Sequence, residues 1–537
     1  MVEGVSERPV RSSLVSATSD QTMYWGTQKE FPKLFAQKCL KIKQELLYLH
    51  REKFCVMDIQ EILESGLSNA TIISRLKERS VSVPLWEKLI KDYEPTRHRI
   101  VGDRTGRKDK YRSDGIERAS RIYIGMEKLL SSRYNEYTFS IPVKRVYTNL
   151  EDNSTRNDIA NALEAIYKHA RIDAVNLKRG LAYYAACEAF TIWYTVERPN
   201  TLYGFPSQYK LKCKTYSPME GIRLYPIIDE MDDMLAMSFE YEKYVGNRYV
   251  TYFETYTADR HYLWQLSGEG VDGWQERLFE SEETGEKVRG ERISIQKIPG
   301  VYIYRPVPVY FGLTNLREEI EYTLSRNSDV LAYNSAPVLK ISGEIIGDEH
   351  KGEARRAFRM ENGGDVSYVS WSQSNEALKY HVDMLVKLFF MQAQMPDVSF
   401  DNLKGLGSIG YDARQTLFTD AHLRIGEEAG PWTEFLEREC NVIKAFLKQM
   451  NVKWAEEIDN VDVEHIVTPY IQNDEKYEIE KWMKANGDKP LVGHMESIRK
   501  AGVSEDPETT FNEYQESKAS SLEQQVQNLF GSGESAV

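Results

Sequence analysis

The sequence contains little cysteine, with five residues in a chain of 537. They lie far apart, at Cys39, Cys55, Cys187, Cys213 and Cys440. Because none of them forms a CxxC pair and their number is odd, the pattern predicts neither a disulfide framework nor a sequence-local zinc site. We therefore expect a protein of a reducing, intracellular environment.

Long hydrophobic runs are also missing. The richest stretch, Leu181–Val196, is interrupted by Glu188 and is shorter than the ~20 apolar residues of a membrane span. The first residues, MVEGVSERPVRSS, lack the apolar core of a signal peptide. The sequence therefore predicts a soluble protein with no membrane partner.

The sequence has few signatures of catalysis. Its nine histidines show no HExxH or HxH spacing, and GxSxG is absent. Residues 102–108 have neither the spacing nor the Ser/Thr of a Walker A loop. Gly405–Gly410 matches GxGxxG, but a polar loop precedes it where a nucleotide-binding fold has a hydrophobic strand. We expect no catalytic residue, no cofactor and no ATPase activity, so the chain is not expected to be an enzyme.

Positive charge is in the minority, with 69 basic against 82 acidic residues and a net charge of −13. This balance excludes a protein that coats nucleic acid with a general basic surface. The last 87 residues alone hold 18 acidic and eight basic residues, a net charge of −10. One local basic segment, Arg97–Arg112, holds seven basic against two acidic residues, and a solvated loop is the simplest interpretation of it.

Apolar residues are plentiful, at 41% of the chain, and the length predicts three or more modules of about 100–200 residues each. After an aperiodic N-terminal arm, apolar positions recur at helical spacing. The predicted helices cover residues 28–53, 57–65, 68–79, 84–93 and 155–196.

The middle of the chain predicts antiparallel strands. Apolar residues alternate from Leu235 to Val245, Gly246-Asn247 supplies a hairpin turn, and alternation resumes at Tyr249. We expect one curved sheet interrupted by an exposed excursion over 267–292. Its strands are predicted at 235–245, 249–257, 262–266, 293–295 and 301–304.

Two helices of similar length, 314–337 and 374–394, bracket a small polar insert at 338–373. An irregular loop at 395–410 follows, and then a long helical pattern over 411–450 with Gly430 and Pro431 in its middle. Proline removes a backbone donor and clashes with the preceding turn, so we expect a kink there. The predicted fold class is α+β and helix-rich.

Two short motifs leave other functions open. Asp229, Asp232 and Asp233 could hold Mg²⁺ in a DNA-processing enzyme, although a turn before a hairpin is favoured. Residues 58–79 have the pattern of a DNA-binding helix-turn-helix, with Arg75, Lys77 and Arg79 on its second helix. The alternative, two packed helices of an α-domain, is favoured.

The residues from 300 to 450 carry a family resemblance. They include RPVPVY at 305–310, YNSAPVLKISGE at 333–344 and MQAQMPDVSFDNLKG at 391–405, and AGVSEDPETT at 501–510 adds to them. With this order of elements the chain resembles the portal proteins of tailed bacteriophages, of the kind found in long-tailed phages of Gram-positive bacteria. The resemblance covers about residues 85–515. The loop reads SIGYDA where that family more often has Ser-Gly directly.

The resemblance implies a ring, usually of twelve subunits, at one vertex of a capsid, with a central channel through which double-stranded DNA is packaged and ejected. It implies a virion location after assembly in the host cytoplasm. The implied division of the chain is an N-terminal arm with an extra helix at 1–55, a wing at 56–313, stem helices at 314–337 and 374–394, a clip at 338–373, a tunnel loop at 395–410, a long kinked wing helix at 411–450, a crown at 451–515 and a mobile tail at 516–537.

The resemblance also implies partners and contact residues. The clip would bind the terminase large subunit during packaging and a head-completion adaptor afterwards, and the ring would meet the major capsid and scaffolding proteins. The candidate clip contacts, which could meet acidic surfaces of a partner, are Lys351, Arg355, Arg356 and Arg359, and the alternative for them is simple solubility of the tip. The candidate DNA contacts in and near the tunnel loop are Asp397, Asp401, Asn402, Lys404 and Arg414.

Overall fold

The structure is a computed structural model, and the chain divides into two compact units, Met1–Leu67 and Ser68–Val537. The residues that it describes are 59–64, 66–102, 106–113, 115–150, 153–267, 273–280, 285–334, 338–342, 345–350, 356–360, 365–369, 375–397, 416, 418–470, 475–487, 491–502, 504 and 506–531. The helix predicted at 28–53 lies outside these residues.

Within the described ranges the α-helices are α1 Ile59–Glu64, α2 Asn69–Leu76, α3 Trp86–Tyr93, α4 Met126–Phe139, α5 Ser154–Ala170, α6 Ile172–Ala186, α7 Thr314–Asn334, α8 Asn375–Ala393, α9 Thr419–Met450, α10 Glu475–Ala485, α11 His494–Ala501 and α12 Pro507–Gly531. Short 3₁₀ turns join several of them. No helix in the described part of the chain is both long and apolar enough to cross a membrane.

The strands are β1 Lys110–Arg112, β2 Gly115–Glu117, β3 Lys144–Thr148, β4 Glu188–Asn200, β5 Ser207–Tyr216, β6 Arg223–Ile228, β7 Met234–Val245, β8 Arg248–Tyr256, β9 Arg260–Leu266, β10 Trp274–Glu276, β11 Leu278–Glu280, β12 Lys287–Arg289, β13 Glu291–Arg292, β14 Gly300–Tyr304, β15 Val338–Ser342, β16 Ile345–His350, β17 Arg356–Met360, β18 Asp365–Val369 and β19 Asp462–Ile466. All of their pairings are antiparallel. The α+β, helix-rich class is confirmed.

The helix predicted at 155–196 is three elements in the structure, and the prediction is wrong beyond residue 186. Arg171 (φ 53°) separates α5 from α6, and Cys187 (φ 68°) ends α6 in the left-handed region. The residues that follow, Ile192 to Val196, are β-branched or aromatic, and such side chains pack well on a sheet. They form the central strand of a three-stranded sheet ordered β14-β4-β5.

The prediction of one curved sheet is also wrong, because β14 pairs with β4 while the other strands form a separate sheet. That second sheet has the order β10-β9-β8-β7-β6, with β13 also paired to β9. Residues 293–295 do not form a strand, since the chain pairs at Glu291 and Arg292 and then turns, with Gln296 at φ 51°. The excursion over 267–292 thus supplies strands to the sheet.

The larger hydrophobic core joins the helices α4, α5, α6 and α9 to the three-stranded sheet, and it also receives side chains from α7 and α8. Trp193 of β4 and Trp432 of α9 are completely buried in it. A smaller core lies between the two sheets around Phe190, Met237 and Phe239.

The helices α7 and α8 contact each other, close to the stem helices predicted at 314–337 and 374–394. At about 1.5 Å per residue, they are about 31 Å and 28 Å long. The insert between them holds two strand pairs, β15-β18 and β16-β17. The helix α12 runs over 507–531, where the sequence predicts a mobile tail from residue 516.

Candidate functional site

An extended segment, residues 120–124, lies along α7 and is bound to it through a regular set of hydrogen bonds. The backbone N–H of Ser120 donates to Asp329, that of Ile122 to Ser325 and that of Ile124 to Glu321, each at 2.8 Å. Two residues of extended chain rise about 6.6 Å, close to the roughly 6.0 Å of four helical residues, so every second amide meets every fourth side chain. We call this set of contacts the side-chain ladder.

The lower end of the side-chain ladder merges with a buried ion cluster around Arg317. The Arg317 guanidinium donates to Glu127 at 2.8 Å, to Glu321 at 3.0 Å and to Asp92 at 3.3 Å. Arg317, Glu127 and Glu321 are completely buried. Burial raises the pKa of Glu321, but the hydrogen bonds from His98 and from the Ile124 amide, with the charge of Arg317, outweigh it and lower the pKa overall.

His98 joins the same cluster from the opposite side. Its Nδ1 lies 2.6 Å from Glu321 Oε1 and its Nε2 lies 2.9 Å from the carbonyl oxygen of Asp92. A carboxylate and a carbonyl both accept hydrogen bonds, so a ring that donates through both nitrogens satisfies this geometry. The Arg317 cluster thus joins the N-terminal half of α7 to two other segments. One contains Asp92 and His98, and the other contains Ile124 and Glu127.

The long helix α9 is anchored to the body by a second set of buried ion pairs. Arg179 of α6 binds Glu439 with two hydrogen bonds, at 2.6 and 2.9 Å, and Trp193 Nε1 donates to the same carboxylate at 3.0 Å. About three turns earlier on α9, Arg305 and Tyr183 both donate to Glu428, at 3.1 and 3.0 Å. These contacts tie α9 to α6, to the central strand β4 and to the residue that follows β14.

The predicted kink residues Gly430 and Pro431 lie on the exposed side of α9, which continues through them. Pro431 has no N–H to donate to the Glu427 carbonyl. The next residue, Trp432, is buried and packs against Phe139 with ring centroids 4.7 Å apart. The turn of α9 that contains Pro431 is therefore packed against the core through Trp432. The kink at Gly430 and Pro431 stays a prediction.

The structure places few of the other predicted contact residues. Asp397 follows α8, whereas Asp401, Asn402, Lys404 and Arg414 lie outside the described residues. Arg356 and Arg359 lie on β17, and Lys351 and Arg355 are outside the described residues.

The aspartates at 229–233 form a turn. The side chain of Asp229 accepts hydrogen bonds from the backbone amides of Met231 and Asp233, at 2.8 and 2.9 Å, and Asp232 is in the left-handed region. Among the residues that the structure describes, no group of three or more His, Cys, Asp or Glu side chains is arranged to hold a metal ion.

The basic residues of the candidate helix-turn-helix are used within the fold. Lys77 pairs with Glu240 at 2.9 Å and Arg79 with Glu188 at 3.2 Å, both on the sheets. The first helix, α1, belongs to the other compact unit. This placement does not favour a DNA-reading helix.

The basic segment 97–112 is not simply a solvated loop. Arg99 approaches Glu318 at 3.5 Å, and Arg107 forms an ion pair with Asp329 of the side-chain ladder. Two of its arginines therefore contact α7.

Sequence reasoning missed the residues that anchor α7 and α9. On α7 a signal was available, because Arg317, Glu321, Ser325 and Asp329 recur at intervals of four and so share one face of the helix. For Arg179 and Glu439, which are 260 residues apart, the sequence carries no such signal.

A family model matches most of the chain. Residues 84–524 match the family model described as "Phage portal protein, SPP1 Gp6-like". None of the curated proteins matches the sequence.

Solved structures of gene transfer agent (GTA) particles are similar to the chain. The neck of the native GTA particle with C12 symmetry is 10% identical, with 81% of this chain and 98% of that chain covered and a TM-score of 0.36. The neck of the empty GTA particle with C6 symmetry is 11% identical, with 70% and 89% covered and a TM-score of 0.34.

The family model extends over most of the chain and includes the sheets, the paired helices and the long helix. The chain belongs to the SPP1 Gp6-like family of phage portal proteins.

Proposed function

We propose that the chain is one subunit of a ring, with twelve copies expected, at one vertex of a capsid. The observation that carries the proposal is the family match over residues 84–524. In this ring α7 and α8 form the stem, residues 338–373 the clip and residues 451–515 the crown. The protein has a structural role in DNA passage and no chemistry of its own.

The surface of the stem helices supports assembly. Tyr322 and Leu331 of α7 and Tyr380 and Met391 of α8 are all exposed, the last two by about two thirds (67% and 66%). Leu423 near the start of α9 is also exposed. Large apolar side chains in neighbouring helices are typical of surfaces covered by another chain, and copies in a closed ring would cover them.

The charge of the chain suits a conduit for DNA. Each phosphate contact adds salt-dependent affinity, so a tightly binding channel would slow translocation. The chain is acidic overall, and basic residues such as Arg107, Arg179 and Arg317 are paired within the fold. Lys404 in the tunnel loop and Arg414 just after it make transient contacts with the DNA backbone, and acidic residues close by in the sequence, such as Asp401, keep those contacts weak.

The insert between the stem helices is the docking point for partners in this proposal. Lys351, Arg355, Arg356 and Arg359 concentrate positive charge in residues 351–359 of the insert. It would meet acidic surfaces, first of the terminase large subunit and then of a head-completion adaptor. The wing and crown would face the major capsid and scaffolding proteins inside the virion.

Native mass spectrometry, with negative-stain imaging, tests the proposal directly. A ring of twelve 62.2 kDa copies has a mass of about 746 kDa. A ring with one subunit more or fewer also supports the proposal. A monomer or dimer with Mg²⁺-dependent nuclease activity would contradict it.

Lys404→Ala and Arg414→Ala test the DNA contacts separately. Both variants should form rings and should lose part of the packaged or retained DNA, measured by nuclease protection of filled particles. Unchanged packaging and retention in both variants would show that these residues do not contact DNA.

A further inference from the structure

A buried polar cluster lies where the long helix α9 meets the strand pair β3-β19. Arg145 of β3 and His465 of β19 are register partners. The Arg145 guanidinium carbon lies 4.0 Å from the ring centroid of Tyr167 on α5, and the Tyr167 and His465 rings are 6.4 Å apart. Cys440 and Lys444 complete the cluster from α9, and the Lys444 Nζ donates to the carbonyl of the residue that precedes β19.

Several polar atoms of this cluster are buried without a partner. Tyr167 is 1% exposed and His465 is 3% exposed. Within the described part of the chain, both ring nitrogens of His465 and Nε and Nη2 of Arg145 have no hydrogen-bond partner. The Tyr167 hydroxyl lies within hydrogen-bonding reach of the Cys440 thiol, a weak partner. Buried polar groups in native proteins are nearly always paired, so four such atoms in one place, beside a hydroxyl with only a thiol partner, point to a binding position.

The cluster also carries a surplus of positive charge. Arg145 reaches a carboxylate only at 3.8 Å, on the half-exposed Glu164. Lys444 is 8% exposed, and no ion pair joins it to a carboxylate among the described residues. Glu439 is nearby, but Arg179 binds both of its oxygens.

His465 does not add to the positive charge at neutral pH. Burial, together with the charge of Arg145, lowers the pKa of His465 to about 4. The ring is therefore neutral at pH 7, with one N–H to donate.

We propose that this cluster binds a small monovalent anion of the halide class, with chloride as the physiological ligand. The unpartnered groups are mostly donors, and the surplus charge is positive, so a ligand at this position must accept hydrogen bonds and carry negative charge. A water molecule would bring two more donors with its acceptors and would leave the charge unchanged. The surroundings belong to the packed core, which favours a halide over the larger phosphate or sulfate.

The anion would join β19 to α9 and α5 and so stabilise the C-terminal edge of the body. The inference goes beyond the proposed DNA conduit and does not depend on it, because every residue involved lies within one subunit.

Thermal unfolding of the full chain in sodium chloride and sodium gluconate, at equal ionic strength and pH 7, tests the proposal. The melting temperature should rise saturably with chloride and with bromide, but not with gluconate. Arg145→Gln should abolish this dependence, and Tyr167→Phe should weaken the apparent halide affinity by about tenfold, as for the loss of one hydrogen bond to an ion. Arg133→Gln, on a partly exposed arginine that pairs with Glu136, is the matched control and should behave as the wild type.

A second measurement needs only the wild-type protein. Chloride-35 NMR should show line broadening that saturates with chloride and is displaced by bromide. Equal melting temperatures in chloride and gluconate would overturn the proposal. So would broadening that never saturates, or a high-resolution map with ordered water and no bromide signal in the cluster.

Discussion

The stem helix α7 and the long helix α9 are both anchored by buried ion pairs, but the two anchorages have different partners. On α9, Glu439 and Glu428 bind side chains of other regular elements or of the core, such as Arg179 and Trp193. On α7, the side-chain ladder binds backbone amides of residues 120–124, which have no regular secondary structure.

The contacts of α7 show how an irregular segment can be held on a helix. An extended segment outside a sheet has unpaired N–H groups, and burying them is unfavourable. The side chains of α7 supply the acceptors that a neighbouring strand would supply. The anchorage of α9 depends on pairs of charges. That of α7 depends on the charge of Arg317 and on acceptor side chains that recur every four residues along the helix.

Removing the charge of Arg317 should cause the largest loss in the free energy of unfolding. Arg317→Met leaves Glu127 and Glu321 buried without their cation, and we expect a loss of about 3–5 kcal/mol in the free energy of unfolding. Denaturant titration of the purified protein measures it. Arg326→Met, at an exposed position of the same helix, is the control. A loss below about 1 kcal/mol, as at surface pairs, would mean that the cluster is not an anchor.

The corresponding substitution on α9, Glu439→Gln, should cause a slightly smaller loss in the free energy of unfolding. Glu439→Gln removes the charge that Arg179 needs, but the amide oxygen can still accept from Trp193, and Arg179 keeps its stacking on Phe435 at 4.5 Å. We expect a loss of about 3 kcal/mol by the same titration. Glu434→Gln, in an exposed pair with Arg438 on the same helix, should cost about 0–1 kcal/mol. Equal losses in both variants would contradict the importance of burial here.

One rung of the side-chain ladder can be removed alone. Ser325→Ala leaves the Ile122 amide without its acceptor, so we expect a loss of about 1–3 kcal/mol. Faster amide hydrogen exchange should be confined to residues near 122. Ser328→Ala on the same helix, outside the ladder, should leave both stability and exchange unchanged.

Acid should weaken the anchorage of α7 through Glu321. Because the folded-state pKa of Glu321 is lowered, its stabilising contribution is complete above the ordinary value of 4.5 and is lost as the pH falls through the lowered pKa. The stability difference between wild type and Glu321→Gln should therefore be constant above pH 5 and should shrink below pH 4.5. Glu318→Gln, at a more exposed carboxylate of the same helix, serves as control, and a difference that grows on acidification would show the sign to be wrong.

The smallest expected effect is a gain on α9. A Cβ added at Gly426 or at Gly430 would meet no atom within 4 Å. Gly426→Ala should add about 0.5–1 kcal/mol, because glycine loses more backbone entropy in a helix than alanine. Gly430→Ala should gain less, since it precedes Pro431, whose ring disfavours a helical residue with a Cβ before it. Equal melting temperatures for the two variants would contradict this distinction.

Local periodicity made much of the fold predictable. The helices α7 and α8 were predicted within three residues at each end, and the hairpin at Gly246 was predicted from its turn residues. The change from helix to strand at Cys187 was missed, because an apolar run such as Leu181–Val196 suits a buried helix and a buried strand alike. The separate pairing of β14 was missed because strand order depends on contacts between distant segments.

The candidate site was less predictable than the fold. Arg317 and Glu127 are 190 residues apart, and the sequence around Glu127 does not distinguish a buried carboxylate from an exposed one. The amides of residues 120–124 found their acceptors on a helix that begins about 190 residues later. Asp229, by contrast, accepts hydrogen bonds from the amides of its near neighbours Met231 and Asp233. The turn that they form was the interpretation favoured from the sequence.

The family and the order of the stem helices, the insert and the long helix could be recognised from residue patterns that are local along the chain. The sequence by itself also determined the acidic balance, which excludes a DNA coat and is compatible with a DNA conduit. The tertiary structure decided which charges are buried and with what they pair, since burial arises only when remote segments pack together. For this reason the anchors of α7 and α9, and the unpartnered cluster around His465, were found only in the folded chain.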